Sequence, residues 1–266
     1  MIDGSTRVFA ILGDPVAHSL SPAMQNAAFR VLGLKAVYVP LRCAPDDVPG
    51  LLRALTRAGG GGNVTVPHKE AAARAVDRCE PAAERLGACN TFWGEDGACV
   101  GGNTDVAGVL AALDDLEAPP GAWLVLGTGG GARAAVGAAR ERGVAVAMSS
   151  RSADRRRRFE DWAASQGVPL ADAAGCAVVI NTTPLGLAAR DPLPLTEPPA
   201  AASVALDLVY AGGDTPWVRA MRAAGLRAAD GRTMLVAQGA AALERWFPGE
   251  RAPVEVMRAA VDARLR

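Results

Sequence analysis

The stretch Trp123-Leu124-Val125-Leu126-Gly127-Thr128-Gly129-Gly130-Gly131-Ala132-Arg133-Ala134 decides the fold. A short apolar run, too short for a buried helix, leads straight into glycines and then into an alanine-rich segment with helical character. Glycines allow a tight turn and let backbone N–H groups approach a ligand closely. A helix that opens near Gly130 adds the positive end of its dipole, which suits a pyrophosphate. Alanine at position 132 is an accepted variant of the last glycine in the G-x-G-x-x-G pattern. A glycine run alone is weak evidence, and residues 59–62 form another. The order strand, loop, helix is what makes Gly127, Thr128, Gly129, Gly130, Gly131 and Ala132 candidate dinucleotide-binding residues.

The next strand, predicted over 144–149, tells which dinucleotide. Enzymes that use NAD place an acid near its tip to hold the ribose 2′-hydroxyl. Here the tip reads Met148-Ser149-Ser150-Arg151-Ser152, with Arg155 one helical turn further on. Two arginines and two serine hydroxyls suit a 2′-phosphate, so Ser150, Arg151, Ser152 and Arg155 point to NADP. Arg156, Arg157 and Arg158 read as a solvated basic face.

Working outward, strands predicted over 122–126, 144–149, 178–181 and 203–208 alternate with helices over 132–142, 154–165 and 215–224. Helices over 233–246 and 253–265 close the chain, and the proline-rich stretch 185–199 reads as loop. Toward the N-terminus, strands are expected over 7–12, 36–41 and 63–66. Helices are expected over 21–32, 45–58, after Pro67, over 81–86 and over 104–116. Ser21-Pro22 looks like a cap followed by proline at the first helical position. Segments 88–93 and 98–102 flank Glu95-Asp96-Gly97, a hairpin signal. Pro119-Pro120-Gly121 breaks the chain. Strands alternating with helices imply parallel sheets with right-handed crossovers in both halves, an α/β protein of two domains at 266 residues.

Composition excludes several classes. The 28 acidic and 28 basic side chains cancel, so nothing points to nucleic acid or an anionic membrane. No apolar run approaches the ~20 residues that span a bilayer. The N-terminus lacks the basic-then-apolar order of a signal peptide. Cys43, Cys79, Cys89, Cys99 and Cys176 are odd in number and show no Cys-x-x-Cys spacing, so they read as free thiols in a reducing, cytoplasmic setting. Two histidines, His18 and His68, are far apart in sequence, and no metal site is expected.

Of the 28 basic residues only two are lysine, Lys35 and Lys69. An arginine stays protonated, whereas a lysine amine can hand over a proton once its pKa falls. Lys69 lies in Asn63-Val64-Thr65-Val66-Pro67-His68-Lys69. Other polar groups recur where strands should end: Ser19 and Ser21, Asn63 and Thr65, Asn90-Thr91, and Asn103-Thr104-Asp105. Each taken alone could be a local cap. Together, at the carboxyl ends of strands in one layer, they suit a polyhydroxylated ligand. Lys69 and Asp105 are the obvious proton-carrying partners among them.

This set of motifs resembles the shikimate dehydrogenase family over nearly the whole chain. The resemblance runs through Ala17-His18-Ser19-Leu20-Ser21-Pro22, Asn63 to Lys69, Gly87-Ala88-Cys89-Asn90-Thr91, Gly102-Asn103-Thr104-Asp105 and the glycine loop. It continues through Ser150-Arg151-Ser152, Asn181-Thr182-Thr183-Pro184, Asp207-Leu208-Val209-Tyr210 and Met234-Leu235-Val236-Ala237-Gln238. Ser150 departs from the family's usual asparagine and Cys89 from its usual valine. The resemblance implies an α/β substrate-binding domain with a mostly parallel sheet (1–104 plus 236–266) and a Rossmann-type NADP-binding domain (105–235). It implies Lys69 and Asp105 as the catalytic pair. Ser19, Ser21 and Tyr210 would hold the substrate carboxylate, and Asn63, Thr65, Asn90, Asp105 and Gln238 its remaining polar groups. Thr182, Leu208, Gly231 and Met234 would lie on the cofactor side. The activity implied is the NADPH-dependent, reversible reduction of 3-dehydroshikimate to shikimate, within aromatic amino acid and chorismate biosynthesis, by a cytoplasmic monomer or homodimer. A broader quinate/shikimate dehydrogenase and a non-catalytic NADP-binding sensor on the same fold remain alternatives.

Overall fold

A computed structural model describes residues 2–186 and 190–266. The part of the expected 185–199 loop that falls on 187–189 lies outside the described residues, as does Met1. The chain divides into two compact units, Met1–Asp105 with Leu235–Arg264, and Val106–Met234 with Leu265–Arg266.

The first unit begins β1 (Arg7–Gly13), α1 (Ser21–Val31), β2 (Ala36–Arg42), α2 (Val48–Arg57), β3 (Gly61–Val64) and α3 (Lys69–Ala75). It continues β4 (Arg78–Cys79), α4 (Pro81–Leu86), β5 (Thr91–Glu95) and β6 (Ala98–Gly102). Helix α5 (Asp105–Asp115) then leads into the second unit: β7 (Trp123–Leu126), α6 (Gly130–Arg142), β8 (Val146–Ser149) and α7 (Ala153–Ser165). After these come β9 (Val178–Asn181), β10 (Val204–Asp207), α8 (Pro216–Ala223) and β11 (Arg227–Ala229). Helix α9 (Arg232–Trp246) returns the chain to the first unit, which α10 (Val254–Leu265) completes but for the last residues.

The first sheet has the order β2-β1-β3-β5-β6-β4. Strands β2, β1 and β3 run parallel, as do β6 and β4, but β5 is antiparallel to both β3 and β6. The sheet is mostly parallel, as expected, with β5 of the 91–102 hairpin set inside it against the direction of its neighbours. Its turn carries φ of 51° at Asp96 and 79° at Gly97, the left-handed pair that matches strand twist. Strand β4 was not anticipated, because two residues carry no periodicity. Strand β3 starts two residues before the predicted 63 and ends at Val64. The glycines of 59–62 are part of the strand and not merely a helix stop. A Cβ on Gly62 would stand 1.9 Å from the carbonyl oxygen of Ala10, so β3 lies closer to its neighbour than a side chain permits.

On one side of this sheet Leu12, Leu52, Val64 and Phe92 share a buried cluster. Phe9 stacks near Phe29 (5.5 Å), Trp246 (5.0 Å) and Phe247 (5.2 Å). Aromatic pairs like these add about 0.5–1.5 kcal/mol each beyond area burial. Trp246 Nε1 donates to Thr91 Oγ1 at 3.0 Å, and Arg245 Nε donates to Glu80 Oε1 at 3.0 Å. The end of α9 is thus fastened to the sheet, which fixes the helix that carries Gln238.

The second sheet, β11-β10-β9-β7-β8, is parallel throughout. A single parallel bridge from Val146 to Leu170 adds a vestigial strand outside β8. Counting that bridge, the order is that of the Rossmann fold, 3-2-1-4-5-6. The order reverses between β7 and β9, and ligands of such sheets bind at that switch. Ala132, Ala135, Ala138 and Ala139 are buried on α6, and small side chains there let the helix approach the strands.

Candidate active site

Lys69 is the first residue of α3 and Asp105 the first of α5. Lys69 Nζ donates to Asp105 Oδ2 at 2.6 Å, with the side chains 16% and 6% exposed. Charge-assisted bonds of this length are among the stronger contacts a protein makes, worth roughly 1.5–3 kcal/mol. The other carboxylate oxygen is engaged as well, since Asn90 Nδ2 donates to Asp105 Oδ1 at 2.8 Å. Asn90 Oδ1 accepts the Thr104 N–H at 2.7 Å, and Asn103 Oδ1 accepts the Asp105 N–H at 3.0 Å. Asn103 is itself tied to the Ala88 carbonyl at 2.9 Å. Asp105 therefore has one orientation, set by its neighbours on both sides. Gln238 reaches the same place from α9, its Oε1 3.4 Å from Asn90 Nδ2 while its Nε2 donates to the Leu235 carbonyl at 2.9 Å.

The turn ahead of Lys69 is equally fixed. The His68 N–H donates to the Thr65 carbonyl at 2.9 Å, and the Thr65 N–H to the Leu12 carbonyl at 2.8 Å. The buried His68 ring bonds through Nε2 to the Cys43 carbonyl at 2.9 Å. The Thr65 methyl lies over Gly13, where a Cβ would stand 2.3 Å from it. Asn63 is brought close to this group, and the protein engages both ends of its amide. Its Oδ1 accepts the Tyr38 hydroxyl at 2.7 Å and its Nδ2 donates to the Asn90 carbonyl at 3.0 Å.

Ser21 does not cap α1, which corrects the sequence reading. Leu20 holds the cap position without a side-chain bond, and Ser21 is the first helical residue. The Ser19 hydroxyl instead accepts the Ser21 N–H at 3.3 Å. That bond is long and half-exposed, so its loss costs little stability. On the carboxylate-holding role that the resemblance implies, Ser19→Ala is expected to raise the KM for substrate several-fold and to move Tm by no more than a few degrees. A drop in Tm with unchanged KM would reduce Ser19 to a local cap. Tyr210, grouped with these serines by resemblance, belongs to the second unit, so neither unit assembles all three by itself.

In the second unit the expected cofactor residues gather at the carboxyl ends of β7, β9 and β10. Gly127 takes φ of 112°, and a Cβ there would stand 2.6 Å from Thr182 Oγ1. Thr182 Oγ1 in turn donates to the Leu126 carbonyl at 2.7 Å. A Cβ on Gly131 would meet Leu208 Cδ1 at 3.2 Å, and one on Gly231 would meet the Leu208 carbonyl oxygen at 2.4 Å. Thr128 is half-buried, Ala132 and Met234 are buried. Gly129 is the N-cap of α6 and supplies no side chain, so no side chain caps the first N–H groups of that helix. The start of α7 differs. Ser152 Oγ accepts the Arg155 N–H at 3.3 Å, and Ser150 Oγ accepts the Ser152 N–H at 3.3 Å. The two serines shape the turn, while Arg151 and Arg155 are exposed at its tip.

One organising group has no assigned role in the sequence reading. Asp207, wholly buried at the end of β10, accepts from Asn181 Nδ2 (2.8 Å), the Val209 N–H (3.1 Å) and Thr215 Oγ1 (2.7 Å). Burial pushes its carboxyl above the usual range, against the pull of those hydrogen bonds. It locks the loop that presents Thr182 to the one that follows Leu208. A lone acid ending an apolar strand, as in Asp207-Leu208-Val209-Tyr210, was the available signal. The five cysteines are free, and burial pushes the Cys99 thiol up to about 11. Among the described residues no cluster of acids, histidines and cysteines is placed to hold a metal, and no helix is long and apolar enough to cross a membrane.

A family profile described as the shikimate dehydrogenase substrate binding domain matches residues 11–92, and one described as the shikimate 5'-dehydrogenase C-terminal domain matches 231–261. A shikimate dehydrogenase (NADP(+)) of Geobacter metallireducens is 40% identical across 100% of this chain and 99% of its own length. The chain belongs to the shikimate dehydrogenase family. The shikimate dehydrogenase (NADP(+)) of Rubrobacter xylanophilus is 41% identical over 92% of each chain. Among solved structures, the shikimate 5-dehydrogenase of Thermus thermophilus in complex with NADP(H) and shikimate superimposes with a TM-score of 0.85. It is 35% identical and covers 97% of this chain and 99% of its own. A shikimate dehydrogenase in complex with NADP+ superimposes with a TM-score of 0.89 at 28% identity, over 100% of this chain and 98% of its own. Within this chain, the substrate-domain match takes in Ser19, Asn63, Lys69 and Asn90, and the C-terminal match takes in Met234 and Gln238.

Proposed function

We propose that this chain is an NADP-dependent dehydrogenase that interconverts shikimate and 3-dehydroshikimate, the reductive direction serving aromatic amino acid and chorismate biosynthesis. The single observation that carries the proposal is the 2.6 Å contact between Lys69 and Asp105, since a mere NADP-binding relative needs no such pair. The named activity of full-length relatives supports it.

The second unit fits NADP. Gly127 and Gly131 stand where a Cβ would strike Thr182 or Leu208, so the loop leaves backbone N–H groups accessible beside an uncapped helix start. Gly127 to Ala132 would hold the pyrophosphate, Arg151 and Arg155 the 2′-phosphate, and Thr182, Leu208, Gly231 and Met234 the remainder. When bound, NADP supplies or accepts the hydride. The chain's own residues manage the proton and the orientation. Lys69 takes the proton from the substrate hydroxyl in oxidation and returns it to the ketone oxygen in reduction. Asp105 directs the amine, and Asn90 with Asn103 directs Asp105. Ser19 and Ser21 hold the carboxylate, and Thr65, Asn90 and Gln238 the hydroxyls.

The test is absorbance at the NADPH band on mixing the purified protein with shikimate and NADP. A steady rise is expected, slower with NAD. A folded protein that binds NADP and gives no signal with shikimate or quinate would be a sensor and not an enzyme. Comparable rates on quinate would make it a broader quinate/shikimate dehydrogenase.

A further inference from the structure

Tyr38 is one of two tyrosines in the chain, lies on β2, and is 2% exposed. A buried phenol this far from water needs a partner for its proton, and here the partner is Asn63 Oδ1 at 2.7 Å. We propose that Tyr38 is a positioning residue for the Lys69–Asp105 pair, acting through Asn63 and Asn90. The proposal rests on the reading of Lys69 and Asp105 as the proton-transfer pair.

The links run in one sense. The Tyr38 hydroxyl donates to Asn63 Oδ1, which forces the Asn63 amide to turn its Nδ2 toward the Asn90 carbonyl, 3.0 Å away. Were that amide reversed, two oxygens would face each other and the Tyr38 proton would lose its acceptor. Asn90 heads the hairpin, and its own Nδ2 donates to Asp105 Oδ1 at 2.8 Å, opposite the 2.6 Å contact from Lys69. The phenol thus settles which way Asn63 points, Asn63 holds the Asn90 backbone, and the Asn90 side chain aims the carboxylate. Every member is buried or nearly so, so no water can take over a lost link cheaply. Burial keeps the phenol neutral by raising its pKa well above the ordinary value, which preserves it as a donor.

Tyr38→Phe removes one oxygen and keeps the ring, which packs 5.8 Å from Trp246. The expected result is a three- to tenfold fall in kcat, the size of one net hydrogen bond expressed as a rate. The pH profile of kcat is expected to shift, and the KM for NADP to stay unchanged. Asn63→Ala cuts the next link and is expected to give the same kcat loss and the same profile. The double variant should then cost no more than either single one, since both break one chain. A folded Tyr38→Phe enzyme with wild-type kcat and pH profile, whatever its Tm, overturns the proposal. Fully additive losses in the double variant do so too. If Tyr38→Phe does not fold, Asn63→Ala decides alone by the same readouts. Lys69→Ala in the same series separates the two ideas. Full turnover there overturns the proton-transfer pair and this proposal together. Lost turnover there, with Tyr38→Phe and Asn63→Ala unaffected, overturns only the role of Tyr38.

Discussion

Replacing Lys69 by alanine is expected to lower turnover by about 10²–10⁴-fold, the usual worth of a positioned proton donor. The KM for NADP should barely change, because Lys69 belongs to the first unit and the glycine loop to the second. The change also leaves Asp105 Oδ2 without the amine that it meets at 2.6 Å, on a side chain 6% exposed, so a modest loss of stability accompanies it. Lys69→Arg is the sharper variant. It preserves a positive charge opposite Asp105 but stays protonated at every working pH. It is expected to fare little better than alanine. Near-normal turnover of Lys69→Arg would make Lys69 an electrostatic anchor for substrate, with the proton drawn from water. Full activity of Lys69→Ala, followed by NADPH absorbance, would sink the catalytic assignment.

Replacing Arg151 and Arg155 together by alanine is expected to raise the KM for NADP by ten- to a thousandfold and to leave that for NAD nearly unchanged. Each arginine can make charge-assisted contacts worth roughly 1.5–3 kcal/mol to a phosphate, and about 1.4 kcal/mol is tenfold in affinity. Both side chains are exposed, and the cap of α7 is the Ser152 hydroxyl accepting the Arg155 backbone N–H. That bond survives truncation of the side chain, so Tm should hold. Steady-state kinetics with both cofactors checks the outcome. A wild-type enzyme that uses NAD as well as NADP, or a double variant that keeps its preference, would show that the phosphate is held elsewhere.

The parts of the protein written in local sequence were legible without coordinates. The strand-to-glycine-to-helix order of 123–134 depends on neighbours in the chain, and so does the arginine pair that opens α7. Lys69 stood out because the chain uses arginine almost everywhere else. Asp105 and Asn90 stood out because polar residues cluster where strands end. These signals are short-range, and chemistry of that kind is visible in a window of a dozen residues.

Other features depend on what lies across the sheet, and only the tertiary structure decided them. The 59–62 glycines read as punctuation, yet Gly62 is required because β1 passes too close for a Cβ. Strands β4 and β11 have two and three residues and exist only because a longer strand lies beside each. The hairpin enters the middle of its sheet, where a local pattern names the turn but not the partner. Ser21 looked like a cap, and the fold made it the first helical residue instead. Tyr38, Asn63 and Asn90 are 25 and 27 residues apart in successive steps. Nothing in a linear window joins them. Their hydrogen bonds form because folding removes water from all three at once, and a buried donor must then find whichever acceptor the sheet has brought beside it. Asp207 was passed over for the same reason, its three donors coming from β9, from the backbone beyond β10 and from the cap of α8. The sequence by itself singled out Lys69, Asp105 and Asn90, which the fold brings together; packing between strands determined which way each of them points.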